Sequence, residues 1–247
     1  MEKREIVIFE RLWQEMRSAV SPFPEGVADV PEPISGTAFF PGGLGLWLHE
    51  NGSGASPIGQ IMIVGQDFNS EKVYEQARRD GTEVHRSATW KALQKLLLGS
   101  DISLEQCFFT NLYMGLRHGG GPETGRFPGA RDEHFVQRCL AFFIKRLEVV
   151  RPKLILTLGV EPFRVLATHL FPHERAPKTL TACVEIYRSV PLTHGSVTVV
   201  ALTHPSFYDA NVWRRKYAGL SGAEAEKAMI ADGMTSAFSN EPRATRP

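Results

Sequence analysis

The stretch Ile61-Met62-Ile63-Val64-Gly65-Gln66-Asp67-Phe68-Asn69-Ser70 decides how the rest of the chain is read. Four apolar residues, three of them β-branched, run into a glycine, and Gln66 and Asp67 follow at once. This is the pattern of a fully buried strand that stops abruptly and presents Asp67 at its carboxyl end. In open α/β sheets the crevice beyond the carboxyl ends of the strands is where ligands bind. Asp67 therefore either does chemistry at that edge, or closes an Asx-turn or caps the following helix.

Working outward, three further apolar runs have the same character: Cys107-Phe108-Phe109, Leu154 to Leu158, and Val197 to Leu202. They end at Thr110-Asn111, at Gly159 and at Thr203-His204-Pro205-Ser206. Helical periodicity separates them, over 71–79, 88–98 (Trp90, Leu93, Leu96 and Leu97 on one face) and 132–150, with another helix opening at Glu161-Pro162. Residues 4–19 have the spacing of an amphipathic helix. A Pro- and Gly-rich segment, 21–45, is expected to wrap over the core, with an edge strand or lid element near 39–48. Thr82–Ser87 reads as a turn, Met114–Ala130 as a long glycine-rich loop and Val184–Ile186 as a short strand. Helices are expected over 209–218 and 222–238, and a loose tail over 243–247. Apolar strands alternating with helices predict a three-layer α/β/α fold around a central, mostly parallel four-stranded sheet. Right-handed crossovers then gather Asp67, Asn111, Gly159 and His204 along one rim. One domain over 1–247 is expected: helix and wrapping segment over 1–60, core over 61–216, C-terminal helix and tail over 217–247.

With 247 residues the chain is long enough for a substantial core, and its formal net charge of +1 means that any nucleic-acid surface must be local. The three cysteines lack metal-knuckle or disulfide spacing and fit a reducing compartment. No apolar run has the length of a membrane span and the N-terminus has no signal-peptide core, so a soluble, cytoplasmic protein without membrane contact is expected; a monomer is the expected state.

The four strand ends, in this order, resemble the uracil-DNA glycosylase superfamily over roughly Ile61 to Lys216. Gly65-Gln66-Asp67 resembles the start of its water-activating motif, and Phe109-Thr110-Asn111 the strand ending in a base-reading asparagine. Leu156 to Gly159 is similar to its third strand and turn, and Thr203-His204-Pro205-Ser206 to the motif carrying a base-stabilising histidine. The resemblance implies a monofunctional DNA glycosylase that flips a damaged base, uracil by default, and hydrolyses its N-glycosidic bond in base excision repair. Asp67 would orient water and stabilise the cationic sugar, while His204 would donate to the departing base. Asn111 offers a donor and an acceptor that match a pyrimidine's amide edge. Gly65, Gln66, Phe68, Asn69 and Ser206 would complete the base pocket, with Phe68 as stacking plate. Phe207 and Tyr208 would wedge into the duplex, and Arg214 and Arg215 would contact phosphates, with Lys216, Arg117, Arg126 and Arg131 as further candidates. No metal or other cofactor is expected, since three cysteines cannot hold the iron–sulfur cluster of one branch.

The sequence departs from the family where Phe68-Asn69-Ser70 replaces its Pro, Tyr and His, and Asn69 stands where a tyrosine excludes the thymine methyl. Two other functions stay open: a non-catalytic nucleic-acid-binding relative, and an N-glycosidase acting on free nucleosides or nucleotides. Other motifs fall away. Gly120 to Arg126 has phosphate-loop spacing without the Lys-Ser/Thr. His118-Gly119-Gly120-Gly121 lacks a partner nucleophile elbow, and Pro172 separates His169 from His173.

Overall fold

The amphipathic spacing of the N-terminus builds α1 (Lys3–Val20), whose Leu12, Met16 and Val20 turn into the core. The computed structural model describes residues 3–29, 32, 34, 39, 58–81, 88–119, 125–170, 186–193 and 195–239. The chain continues through β1 (Val27–Ala28), β2 (Ile61–Gly65), α2 (Glu71–Asp80), α3 (Ala88–Leu98), β3 (Cys107–Asn111), β4 (Leu116–Arg117) and α4 (Glu133–Val150). It ends with β5 (Leu154–Leu158), α5 (Val160–His169), β6 (Ile186–Leu192), β7 (Gly195–Leu202), α6 (Tyr208–Asn211), β8 (Lys216–Tyr217), β9 (Leu220–Ser221) and α7 (Gly222–Phe238).

The central sheet has five strands in the order β3-β2-β5-β7-β6, not the four expected. β3, β2, β5 and β7 are parallel, and the added edge strand β6 runs antiparallel to β7. Every residue of β2, β3 and β5 is buried. Side chains alternate between the faces of a sheet, so burial without alternation means that helices cover both faces. α7 lies against β5, β6 and β7, and α5 against β5 and β7.

Local chemistry sets the helix ends. Ser70 caps α2, its hydroxyl accepting from the Val73 N–H at 3.4 Å, and Gly81 ends that helix at φ 67°. Asp132 caps α4 by accepting from the Phe135 N–H at 2.9 Å. Two expectations change. The glycine-rich loop is pinned near its start, where β4 pairs with β1, so the N-terminal segment is stitched to it. The helix expected over 209–218 is a single turn, α6, followed by a 3-10 turn at Val212–Arg214 and the β8–β9 hairpin. Ala218 and Gly219 make that hairpin turn at φ 49° and 78°, a left-handed pair that no helix contains. The Thr82–Ser87 turn, the 40–57 portion of the wrapping segment, residues 120–124, Val184–Glu185 and the 243–247 tail lie outside the described residues.

Candidate active site

The parallel strands β2, β3, β5 and β7 end on one edge of the sheet, with Gly65 opposite Asn111 and Leu158 opposite Leu202. A pocket of about 330 Å3 opens there. The β2 end lines it with Gly65, Gln66, Asp67, Phe68 and Asn69, β3 with Asn111, β5 with Gly159, and the segment after β7 with His204, Ser206 and Phe207.

Asn111 is buried, and its amide Nδ2 has no hydrogen-bond partner among the described residues. Its Oδ1 fills the place a Cβ at position 65 would take, so a glycine there lets the amide reach across the strand ladder. His204 closes the other side against Gly159, which stands at φ 90° and where a Cβ would lie 3.2 Å from that of His204. The Ser206 N–H donates to His204 Nδ1 at 3.2 Å, which leaves Nε2 to carry the proton of a neutral ring. Burial lowers the His204 pKa below its ordinary 6.5, with Asp67 pulling weakly the other way, so the ring is neutral at pH 7. Neutral histidine with a protonated Nε2 is a hydrogen-bond donor.

Asp67 does not cap α2; Ser70 does. One Asp67 oxygen, Oδ1, accepts from the Asn69 N–H at 2.8 Å, an Asx-type turn that holds Asn69 at φ 69°. The carboxylate also meets Arg117 side-on: Nε to Oδ1 at 3.2 Å and Nη2 to Oδ2 at 2.8 Å. Both side chains are nearly closed to solvent, 5% exposed for Arg117 and 7% for Asp67. Arg117 is thus a partner of Asp67 and not one of the further phosphate contacts expected. It also donates to the Gly125 carbonyl at 2.8 Å, as does Gln66 Nε2 at 3.2 Å, so the far end of the loop is tied to the β2 terminus. Phe127 lies under the Arg117 guanidinium and stacks on Tyr113, whose hydroxyl donates to Glu161 at 3.2 Å.

The family model of the Uracil DNA glycosylase superfamily matches residues 56–224. The chain belongs to this superfamily. A search of the curated proteins gave no match. Membership of the Uracil DNA glycosylase superfamily makes glycosylase-type hydrolysis on DNA the general chemistry of this fold. No helix among the described residues is long and apolar enough to cross a membrane.

Two residues singled out for DNA, Arg215 and Tyr208, are turned toward the fold. Arg215 is fully buried, 3.4 Å from Glu226 and bonded to the Thr203 hydroxyl, so it cannot reach a phosphate. Tyr208 turns its hydroxyl to the same Glu226 and braces the segment instead of presenting a wedge. Arg214 is exposed but outside the pocket, its guanidinium 5.0 Å from the Trp213 ring centre. Phe207 stays exposed at the rim, and Trp213, at 63% exposure, is a larger exposed aromatic on the segment that follows. Sequence reasoning also missed Thr89, whose hydroxyl meets that of Ser206, and Phe39 at the pocket wall. Glu226 left a signal: an acid inside the buried stripe Ala225, Glu226, Met229, Ile230, Gly233 of α7. Arg146 left the same one on α4, amid Phe142, Phe143, Leu147 and Val150.

Proposed function

We propose that this protein is a monofunctional DNA glycosylase that hydrolyses the N-glycosidic bond of a flipped, damaged base, with uracil the first substrate to try. The observation that carries the reading is the unpartnered Asn111 amide in a pocket shared with Asp67 and His204. A buried amide without a partner costs free energy, and a base carbonyl would satisfy it. His204 Nε2–H would donate to the oxygen on which the departing base gathers charge. Asp67 would face the sugar, orient the attacking water and offset the positive charge that develops there. Phe68, buried at the pocket wall, would hold the face of the base.

One observation favours a second reading, a nucleic-acid-binding relative that has lost the reaction. Arg117 engages both oxygens of Asp67 and offsets its charge. The experiment that separates them uses single- and double-stranded oligonucleotides carrying uracil, hypoxanthine or xanthine, incubated with the protein and then treated with alkali. Strand cleavage at the modified position, lost in Asp67→Asn and His204→Ala, is the expected result. Retained DNA binding with no cleavage on any of them would select the second reading.

A further inference from the structure

Among the described residues three arginines are buried: Arg117, Arg146 and Arg215. Arg117 is paired with Asp67 and Arg215 with Glu226. Arg146, 2% exposed, has no carboxylate partner among the described residues. Its Nη1 donates to the Asn111 carbonyl at 2.9 Å and to the Thr110 hydroxyl. Its guanidinium carbon sits 5.2 Å from the Phe142 ring centre and 5.0 Å from that of Phe143. Nε and Nη2 have no hydrogen-bond partner among the described residues. Burying an ionised group without a counter-charge is costly, and an apolar side chain of similar size is generally the more stable choice at such a site. Burial pushes the Arg146 pKa down to about 9, which still leaves it protonated at neutral pH.

The place of this charge is informative. It is bonded to the main chain of the residue whose side chain opens into the pocket, on the last rung of β3. In the reaction proposed above the glycosidic C–N bond breaks with its electron pair leaving on the base. Water adds to the sugar carbon and releases a proton, and the base gathers negative charge before any proton reaches it.

We propose that Arg146 is a positioning residue for base departure: it fixes Asn111 through its main chain and supplies, from behind β3, an unneutralised positive charge toward which the leaving base's negative charge develops. This rests on the glycosylase reading of the same pocket. In a low-dielectric interior such a charge acts across a residue's width without touching the substrate.

The test compares wild type, Arg146→Met and Arg146→Lys on oligonucleotides carrying uracil or 5-fluorouracil, the better leaving group. Arg146→Met is expected to lower the maximal excision rate of uracil on the order of tenfold, less than the 10²–10³ lost with a donor in direct contact. The loss with 5-fluorouracil should be clearly smaller, KM should hardly move, and Arg146→Lys should recover part of the rate. A melting temperature of Arg146→Met at or above that of wild type would support a role in departure and not in folding. Equal losses on both bases, or a change confined to KM, would overturn the proposal. If Arg146→Met does not fold, the same comparison of bases decides through Arg146→Lys, whose ammonium keeps the charge without the planar fork. Wild type inactive on both bases would overturn this inference, and inactivity that extends to hypoxanthine and xanthine would sink the glycosylase reading with it. Wild type active on both, with uniform losses in the variants, would sink this inference alone.

Discussion

Gly65 and Asn111 face each other on the last rung of the β2–β3 ladder, and the pocket depends on what the glycine lacks. A Cβ at position 65 meets the end of the Asn111 side chain, which can swing away, so Gly65→Ala should fold. Its expected outcome is a melting temperature within a few degrees of wild type and base excision lowered by about tenfold or more, since the displaced amide no longer reads the base. The Asp67–Arg117 pair should behave in the opposite way. Removing one member of a buried ion pair costs about 3–5 kcal/mol, because the other stays charged and alone. Arg117→Gln is therefore expected to lower stability by about that amount in urea denaturation, and the Asp67→Asn, Arg117→Gln double variant by clearly less than the two single losses added. Additive losses would mean that the pair is energetically uncoupled. His204 gives a pH signature. Its folded pKa lies below the unfolded 6.5, so the unfolded chain binds more protons over the interval between them. Its stabilising contribution is complete above 6.5 and is lost as pH falls through the lower folded value. Melting temperatures of wild type and His204→Ala, compared from about pH 5 to 7.5, should converge on the acid side. At this scale the polar residues at strand ends were legible, because an apolar run followed by one polar group has few readings. The ion pair was not, because Asp67 and Arg117 are fifty positions apart and only the β4 turn brings them together.

Elements carry a different part of the site. α7 runs beneath the end of β7, and its Glu226 accepts from the Thr203 N–H and pairs with Arg215, with the Tyr208 hydroxyl turned toward it. Burial raises the Glu226 pKa, while the Thr203 N–H and Arg215 pull it back. One helical acid thus fixes the strand end, the turn that bears His204 and the segment leading into the β8–β9 hairpin. Glu226→Gln keeps the shape and removes the charge, leaving Arg215 buried without its counter-ion. The expected loss is about 3–5 kcal/mol by urea denaturation, with the Arg215→Met, Glu226→Leu double variant recovering most of it. No recovery would show that hydrogen bonds, not charge, hold the segment. The parallel strands and long helices were readable because four to six apolar residues in register leave little choice. The segment 209–218 was misread as a helix because Trp213, Arg214 and Arg215 carry acceptable helical propensity, whereas a buried acid on another element decides their course. β6 was only partly anticipated, from Val184–Ile186, because its described course carries Arg188, Ser189 and Pro191, tolerable on an edge strand and weak as a signal.

For the molecule as a whole, a net charge of +1 leaves no global attraction for a polyanion, so DNA affinity would have to come from the pocket and a small rim. The structure thins that rim. Arg215 and Arg117 are buried, which leaves Arg214 and Lys216 exposed on the segment after His204, and Arg126 and Arg131 exposed on and just after the glycine-rich loop. Each phosphate neutralised on duplex DNA contributes about −0.9 to the slope of log K against log salt. Contact through Arg214 and Lys216 alone predicts a slope of roughly −2 for the Asp67→Asn variant, chosen so that the substrate survives the titration. Arg214→Ala should make the slope shallower by about 1 and weaken binding evenly across sequences, while Trp213→Ala should weaken binding with the slope unchanged. Fluorescence anisotropy of a labelled duplex at four or five salt concentrations measures both quantities. A slope much steeper than −3 would mean that further cations meet the backbone. An unchanged slope in Arg214→Ala would move the DNA path off the segment that follows His204 and toward another face of the fold.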